Sequence, residues 1–419
     1  MLDTLRTAFR IGDLRRRILF TLWMFLVFRV GTAVSVPGID VDVIAEMFRE
    51  GSIFAFMDLF AGGALRTFSI FAMSITPYIN ASIIMQLLTV VIPKWEAMAK
   101  EEDGKKRLQQ YVRYGTVILA LIQATGMSFV LQRQGALLEP GIRGLGLVII
   151  TLTAGTAFLM WLGEQITDRG IGNGISLIIF AGIVSQLPSG MVNVFNLLAA
   201  GRISVFSLLL LTAIGLAVVA AVVWITEGER RVPVQYAKRV VGRRMYGGHS
   251  THIPVRINQA GVIPVIFAAS VLALPVTLAA FIAAPWARRL ELMFNYRSPM
   301  YIATYMIFIV FFTYFYTAMV FNPIEVANNM KKQGGFIPGI RPGRPTSEQL
   351  GKIVSRITLV GAIFLALVAV LPNFMLLVTD IPGLQFGGTA LLIVVGVALE
   401  TMKQVESHLL MRQYQGFMR

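Results

Sequence analysis

The stretch VFSLLLLTAIGLAVVAAVVWI, residues Val205–Ile225, decides the fold class of this chain. It contains no charged side chain, and its length matches the roughly 20 mainly apolar residues that a transmembrane helix needs. Because lipid offers the backbone no hydrogen bonds, a single segment can cross it only as a helix. The stretch therefore predicts a membrane-spanning α-helix.

Nine other segments have a similar apolar character, and the composition of the whole chain agrees with a membrane protein. Charged residues make up 14% and apolar residues 56% of the chain, whereas about 25% of a typical soluble domain is charged. We predict an all-α integral membrane protein with ten transmembrane helices. The spans are expected near Ile18–Pro37, Ser74–Ile92, Val112–Leu131, Leu147–Leu162, Ile171–Leu187, Val205–Ile225, Gly261–Ala280, Tyr301–Phe321, Ile357–Phe374 and Gly388–Leu399.

The positive charges indicate the orientation of the chain. A net charge of +15 is typical either of a nucleic-acid-binding surface or of a membrane protein with one basic face. Of the 37 Lys and Arg residues, 28 fall on the side of both termini, including Arg113 at the edge of its predicted span, and 8 on the opposite side; Arg29 alone lies well inside a predicted span. Because basic loops stay in the cytoplasm, both termini are predicted to be cytoplasmic, with residues 1–17 as an amphipathic segment. Arg29 is expected to snorkel outward or to bond backbone carbonyls.

The apolar stretch Ile53–Ala72 does not fit a separate crossing. It contains Asp58, Gly62, Gly63 and Arg66, and it lacks a polar linker before the next span. The alternatives are a short re-entrant helix buried in protein and a loosely packed surface loop. Irregular backbone at membrane depth is tolerated only where protein or a water-filled cavity surrounds it, which favours the re-entrant helix.

Two predicted cytoplasmic loops, residues 227–257 and 322–356, are longer than linkers need to be. In the first loop apolar residues alternate with charges, which predicts a β-hairpin arm. The second loop contains GGFIPGIRPG, whose Gly and Pro residues predict an ordered loop of fixed shape. The alternative for both is a solvated linker between helices.

The sequence lacks the motifs of catalysis and of metal binding. It has no cysteine, its three histidines lie in polar segments, and it contains neither HExxH nor GxSxG. The glycine-rich run Gly170–Gly174 lacks the preceding strand and the following lysine of a phosphate-binding loop. It predicts instead a tight helix approach and a helix start, with Asn173 in the protein interior. We expect no enzymatic activity, cofactor or metal.

Six long segments together form a specific pattern. They are ITPYINASIIMQLL (Ile75–Leu88), MWLGEQITDRGIGNGISLIIFAGIV (Met160–Val184), TEGERRVPVQYAKR (Thr226–Arg239), NQAGVIPVIFA (Asn258–Ala268), YTAMVFNPIEVANNMKKQGGFIPGIRPG (Tyr316–Gly343) and FGGTALLIVVGVALE (Phe386–Glu400). In content and order these segments resemble the SecY family, the channel-forming subunits of Sec protein translocases.

The resemblance implies an architecture as well as a function. Two inverted halves of five helices, residues 18–190 and 205–405, would close like a clamshell around a pore. An external linker, residues 191–204, would join the halves, and residues 406–419 would form a cytoplasmic tail. Unfolded secretory polypeptides would pass through the pore, and hydrophobic segments would leave it sideways into lipid.

The resemblance also implies roles for individual residues. The pore ring would consist of Ile75, Ile79, Ile175, Ile179, Ile266 and Ile393. The plug would comprise Phe60, Ala61, Gly62, Gly63, Ala64, Leu65, Arg66 and Thr67. A lateral gate between the second and seventh spans would carry Asn80, Gln86, Asn258 and Gln259, which we expect to form interhelical hydrogen bonds. A docking surface would use Arg230, Arg231, Lys238, Arg239, Arg243, Arg244 and Arg341. Without the resemblance, the isoleucines would be interpreted as ordinary core residues.

The implied location is the bacterial plasma (inner) membrane. The implied partners are the small membrane subunits SecE and SecG, the SecA ATPase, the ribosome, signal peptides with their unfolded preproteins, and anionic lipids. A secondary transporter is the main alternative, but it would need a polar site at the membrane midplane, and the positions in question are aliphatic. A multispan hydrolase would need a catalytic constellation, which the sequence lacks. The basic loops alone would permit an inert scaffold.

Overall fold

The computed structural model describes residues 9–44, 62–139, 141–201, 203–236, 239–241, 244–246, 250–282, 284–294, 298–379 and 388–417. The first half contains α1 (Gly12–Ala33), α2 (Thr76–Val91), α3 (Pro93–Lys100), α4 (Glu102–Arg133), α5 (Ile142–Arg169) and α6 (Gly174–Ala199). The second half contains α7 (Val205–Glu227), α8 (Ile263–Phe281), α9 (Pro285–Met293), α10 (Pro299–Val320), α11 (Pro323–Lys332), α12 (Arg344–Thr379) and α13 (Gly388–Phe417). Five strands follow α7 or α11: β1 (Glu229–Tyr236), β2 (Arg239–Val241), β3 (Arg244–Tyr246), β4 (Ser250–Arg256) and β5 (Gly335–Phe336).

Each of the ten predicted spans overlaps one helix: α1, α2, α4, α5, α6, α7, α8, α10, α12 or α13. Within the described residues, six helical segments are long and apolar enough to cross a membrane, and the pair α2 and α3, bent by 105°, adds a seventh. The fourth, fifth and tenth predicted spans, Leu147–Leu162, Ile171–Leu187 and Gly388–Leu399, belong to longer helices of 28, 26 and 30 residues. Polar residues extend these helices beyond their apolar centres, so hydropathy alone underestimates their length.

Proline accounts for several helix starts. Proline occupies the first or second position of α2, α3, α8, α10 and α11. A residue at this position needs no backbone N–H donor, and the proline ring already holds the φ angle of a helix. Pro93 therefore both ends α2 and begins α3, which produces the sharp bend between them.

The helices form two halves that meet along two seams. In the first half, α4 packs against α2 and α5, and α5 packs against α1 and α6. In the second half, α10 packs against α8 and α12, and α13 packs against α7 and α12. The front seam places α8 against α2 and α4, and the rear seam places α13 against α6. One apolar core runs through both halves, so the architecture is the predicted ten-helix clamshell.

The predicted β-hairpin arm is confirmed. Strand β1 pairs antiparallel with β4, from Glu229 opposite Arg256 to Gln235 opposite Ser250, and β2 pairs with β3 between them. Strand β5 pairs with β1 as well, which joins the two long loops into one sheet. We call β1, β4, β5, α11 and the first turns of α12 the platform. Its separate apolar core contains Val232, Val234, Val255, Met330, Ile337, Leu350 and Val354.

Candidate functional site

The six predicted pore-ring isoleucines lie in the apolar core that the two halves share. They come from the start of α2, from α6, from α8 and from α13, so both halves contribute. Ile75 precedes the first residue of α2, and its carbonyl accepts a hydrogen bond from the Ile79 N–H at 3.1 Å, which keeps the two residues one turn apart. Five of the six are buried and Ile175 is half-buried. The structure thus places aliphatic side chains, which offer no partner to ions or water, where the halves meet.

Asn173 fixes the start of the helix that carries Ile175 and Ile179. Its side-chain oxygen accepts hydrogen bonds from the N–H groups of Ile175 and Ser176 at 3.1 and 3.2 Å, which is an N-cap. A Cβ atom on Gly174 would collide with the carbonyl oxygen of Gly163, so the predicted tight approach is present. The predicted interior position of Asn173 is wrong, because the side chain folds over the first turn of α6 and stays exposed.

The stretch predicted as a re-entrant plug helix is a series of turns over its described part, residues 62–75. Gly62 and Gly63 have φ values of 67° and 87°, and Phe68 and Ser74 have positive φ values of 42° and 54°. Such angles interrupt a right-handed helix, which explains the difference. Phe60 and Ala61 lie outside the described residues. Ala64, Leu65, Phe68 and Ser69 are at most 3% exposed, so most of the segment is buried as predicted, whereas Arg66 and Thr67 are exposed.

The second part of this segment, residues 68–75, is held firmly, and we call it the root. The N–H of Val36 donates to the carbonyl of Phe68 at 2.9 Å, and the N–H of Ile70 donates to the carbonyl of Val34 at the same distance. The Phe71 ring lies between Phe28 of α1 and Phe158 of α5, with ring centroids 6.1 and 5.9 Å away. Two backbone hydrogen bonds and an aromatic sandwich therefore fix the root.

Two glycines make room for the root. A Cβ atom on Gly31 of α1 would overlap the Phe71 ring, and one on Gly155 of α5 would overlap the carbonyl oxygen of Ile70. Both helices therefore need glycine where the root passes between them. The sequence contained this signal only as isolated glycines in apolar spans, and we did not predict their purpose.

The predicted carbonyl bonding of Arg29 is confirmed. Its Nη1 donates to the carbonyl oxygen of Gly62 at 3.4 Å and lies 3.5 Å from the hydroxyl of Ser185. Arg29 is in the last third of α1, and Ser185 is on α6. The one charge that lies well inside a predicted span thus contacts the first described residue of the plug segment.

The gate residues do not bond across the seam as predicted. Asn80 of α2 is 2% exposed, and neither its amide nitrogen nor its amide oxygen has a hydrogen-bond partner among the described protein groups. Gln86 donates to the Ser82 hydroxyl of its own helix at 3.1 Å, and its oxygen is buried without a partner. The side-chain oxygens of Asn258 and Gln259 are also unpartnered. The reason is geometric: Asn258 and Gln259 precede α8 by several residues and are not on the helix that packs against α2.

A small cavity lies in the front seam beside Asn80. About 20 Å³ of it is open to the centres of water-sized molecules, which is room for one or two waters. The walls combine α2, α4, α8 and the plug segment. They consist of Leu65, Ala72, Met73, Thr76, Asn80, Gln123, Met127, Ala273, Leu274 and Thr277.

An ion pair between a half-exposed arginine and a nearly buried carboxylate joins α4 and α5, and the sequence did not predict it. Arg113 Nε lies 2.7 Å from Glu164 Oε1, and the Glu164 side chain is only 10% exposed. Gln109 donates a second hydrogen bond to the same oxygen at 3.4 Å. A buried carboxylate requires such partners, so the lone Glu164 after an apolar run was a signal that could have revealed the pair.

The rear seam is well bonded. The N–H of Gly172 donates to the side-chain oxygen of Gln404 on α13 at 2.9 Å. Leu14 and Ile171 of the first half form an apolar cluster with Val405 and Leu409 of α13. A satisfied hydrogen bond and an apolar cluster therefore both join the two halves at this seam.

The predicted docking residues lie on or beside the platform. Arg230 and Arg231 are exposed on β1, and Arg231 pairs with Glu229 at 2.9 Å. Arg341 is exposed in a loop whose Gly339 and Gly343 have φ values of 82° and 106°, and its carbonyl accepts a hydrogen bond from Thr346 at 2.8 Å. The predicted fixed shape of this loop is therefore confirmed. Arg239 and Arg244 belong to β2 and β3, whereas Lys238 and Arg243 lie outside the described residues.

Comparison with known proteins agrees with this architecture. The SecY family model matches residues 69–402, which is most of the chain. The chain is 48% identical over 435 residues to the protein translocase subunit SecY of Halalkalibacterium halodurans, with full coverage of both chains. A solved structure of a protein-conducting channel has a TM-score of 0.68 at 20% identity, covering 94% of this chain and 92% of that one. Sec61 in the canine ribosome-channel complex from the endoplasmic reticulum has a TM-score of 0.62 at 18% identity, with coverages of 94% and 92%. This chain therefore belongs to the SecY family.

Proposed function

We infer that this chain is the protein-conducting channel subunit of a Sec-type translocase. The observation that carries the inference is one apolar core that contains residues of both helical halves together with residues of the buried turn segment. Polypeptides would pass between the halves, and hydrophobic segments would leave for lipid through the front seam. Full-length similarity to a translocase subunit supports the same function.

We propose that Ile75, Ile79, Ile175, Ile179, Ile266 and Ile393 form the pore ring. Their burial in one apolar cluster from both halves supports this role. A ring of branched aliphatic side chains can exclude water when closed. It can also separate around a passing chain without bonding it.

The plug assignment concerns residues 60–67 and rests on the part from Gly62 onward. The buried position of Ala64 and Leu65, together with their fixed root, supports a segment that fills the space between the halves and stays attached when displaced. Leu65 also lines the cavity of the front seam. A displaced plug would therefore alter the packing of the gate.

We propose that the front seam is the lateral gate, with α2 and α8 as its two edges. Support comes from its unpartnered amides on α2: within the described part of the chain, neither amide atom of the buried Asn80 has a hydrogen-bond partner, and nor does the amide oxygen of Gln86. Leaving a buried polar group unbonded costs about 1–3 kcal/mol. The closed seam therefore carries a penalty that opening and hydration would relieve.

The proposed partners follow from the platform and its charge. The exposed Arg230, Arg231 and Arg341 suit ribosomal RNA phosphates or the acidic surface of a motor protein such as SecA. The ribosome is the partner of the canine Sec61 structure, which has this fold. We place the platform and both termini in the cytoplasm, with the chain in a bacterial plasma membrane among anionic lipids and bound to small SecE and SecG subunits. This orientation is supported by the distribution of Lys and Arg.

Photocrosslinking tests the path of the polypeptide. A photoreactive residue is placed at Ile79 or Ile266 of the complex in proteoliposomes, and a secretory chain is stalled during transport. Both positions should crosslink to the stalled chain. The matched control is Ile307 of α10, which is 64% exposed on the helix surface. Equal crosslinking at Ile307, or none at Ile79 and Ile266, would contradict the proposed path.

Conductance tests the plug. Deletion of residues 62–67 leaves the root in place. Planar bilayers that contain the complex with this deletion should leak ions. A solute transporter or a scaffold should show no such current. An intact electrical seal after the deletion would disprove the plug assignment.

A further inference from the structure

The two parts of the plug segment are held in very different ways. The root, residues 68–75, has two backbone hydrogen bonds of 2.9 Å and the stacked Phe71 ring. Residues 62–67, which we call the flap, contact the neighbouring helices at their start through the carbonyl of Gly62 and at their end through the hydroxyl of Thr67. That hydroxyl donates to the carbonyl of Thr32 at 3.2 Å. Two hydrogen bonds also join the flap to the root: the N–H of Ser69 donates to the carbonyl of Ala64 at 2.8 Å, and the N–H of Phe68 donates to the carbonyl of Leu65 at 3.1 Å. The positive φ of Phe68 marks the border between flap and root.

Gly62 is docked closely on α6. A Cβ atom on Gly62 would lie 2.7 Å from the Cα of Gly182, and its φ of 67° also favours glycine. This close backbone contact brings the Gly62 carbonyl within 3.4 Å of both Arg29 Nη1 and the Ser185 hydroxyl. The single proton of that hydroxyl is shared with the Gly182 carbonyl, which is nearer at 2.7 Å, so Arg29 is the main donor to Gly62.

The chemistry of Arg29 makes this contact reversible. Among the described residues no carboxylate lies within ion-pair distance of its guanidinium, so its acceptors are a carbonyl and a hydroxyl. Arg29 lies four residues before the end of α1, or about 6 Å along the axis, so water at the membrane surface can replace Gly62 as its partner. A buried ion pair would bind far more tightly and resist release.

We propose that Arg29 and Ser185 form a latch that holds the flap closed through the Gly62 carbonyl, while the root serves as the fixed end of a hinge at Phe68. Release of Gly62 from Gly182 is then the step that sets how often the resting channel leaks. This inference rests on the proposed plug function. Arg29 acts as a positioning residue, because its charge holds the flap and does not contact the transported chain.

The test combines conductance with chemical labelling of the reconstituted complex. Arg29→Met removes charge and donors and makes the span more apolar, so it does not impede membrane insertion. We expect conducting events of the resting channel to become about tenfold more frequent, as for loss of one charge-assisted hydrogen bond. Ser185→Ala, a milder change, should give a smaller rise. Arg29→Lys, which retains a cationic donor, should restore the seal in large part.

Labelling reports on the flap directly. The chain has no cysteine, so Ala64→Cys introduces a single thiol at a fully buried flap position. An impermeant maleimide added on the external side should modify this thiol faster when Arg29→Met is also present. Arg133→Met removes an exposed charge at the end of α4 and should leave both the conductance and the labelling rate unchanged.

The outcomes separate the latch from the plug. If deletion of residues 62–67 causes leakage but Arg29→Met and Ser185→Ala do not, the latch is disproved and the plug stands. If the deletion itself causes no leakage, the plug assignment fails and the latch with it. Equal leakage from Arg29→Met, Arg29→Lys and Arg133→Met would show a general effect of charge and would also overturn the latch.

Discussion

Replacing Asn80 by leucine should hold the front seam closed. The Asn80 side chain is 2% exposed, and both of its amide atoms lack hydrogen-bond partners. Each unsatisfied buried polar group costs about 1–3 kcal/mol, and leucine has a similar size and no polar atom. Taking about 2 kcal/mol as the net gain for the closed state, spontaneous opening should become about thirtyfold rarer.

The assay measures export as a function of signal-sequence hydrophobicity. If α2 and α8 part during export, Asn80→Leu should demand a more hydrophobic signal for the same rate and should suppress export of proteins with defective signals. Thr116→Val is the matched control, since Thr116 is buried on α4 but already bonded to the Val112 carbonyl at 2.7 Å. An unchanged threshold, or easier export with weak signals, would refute the claim that the unpaired amide destabilises the closed seam.

Three further substitutions test the root, the ion pair between α4 and α5, and the platform. Phe71→Ala empties the aromatic sandwich and should destabilise the closed root by about 3–5 kcal/mol, seen as a lower melting temperature and a conductance leak. Glu164→Gln leaves Arg113 without its charged partner, but the Arg113 side chain is 45% exposed and water can replace that partner, so the variant should lose only about 1 kcal/mol in thermal denaturation. Arg341→Glu should abolish motor- or ribosome-driven transport with little effect on melting temperature, because the side chain is exposed.

Each of these substitutions has a control. Phe71→Leu should retain most of the stability, and equal leakage from both variants would contradict the stacking argument. Glu96→Gln removes a carboxylate that is fully exposed to solvent and should leave the melting temperature unchanged; an effect as large as that of Glu164→Gln would contradict the role of burial. Arg344→Glu alters an exposed arginine near Arg341, and equal loss of transport would indicate diffuse charge in place of a specific contact.

Hydropathy and glycine placement predicted most of the fold. Ten apolar segments became ten helices, and Asn173 marked a helix start that the structure confirms. These features are local, because a segment's own composition determines whether it can cross lipid. The turns at residues 62–75 were predicted as helix, since apolar composition does not report the positive φ angles that long-range packing imposes at Phe68 and Ser74.

The site was predictable only where it depends on residue type. The isoleucines at the predicted ring positions do lie in one apolar core. Contacts between segments that are distant in the chain, however, leave no local pattern in the sequence from which they could be predicted. The pairing of β5 with β1 and the passage of the root past Gly31 and Gly155 depend on how two remote stretches meet. The expected gate hydrogen bonds failed for the same reason: an amide in a span indicates a polar position, but its partner depends on the register between helices.

The contrast between the two seams suggests where the halves hinge. At the rear seam, Gly172 bonds Gln404 and Leu14 contacts the α13 cluster, so parting there would break a satisfied hydrogen bond and expose apolar surface. At the front seam, Asn80 is unpaired beside a small cavity, so parting there would hydrate polar atoms that are now buried. Because breaking satisfied contacts costs more than exposing unsatisfied ones, the halves should rotate about the rear seam and open at the front. The flap lies between them, and its release from Arg29 would let the front open without disturbing the root.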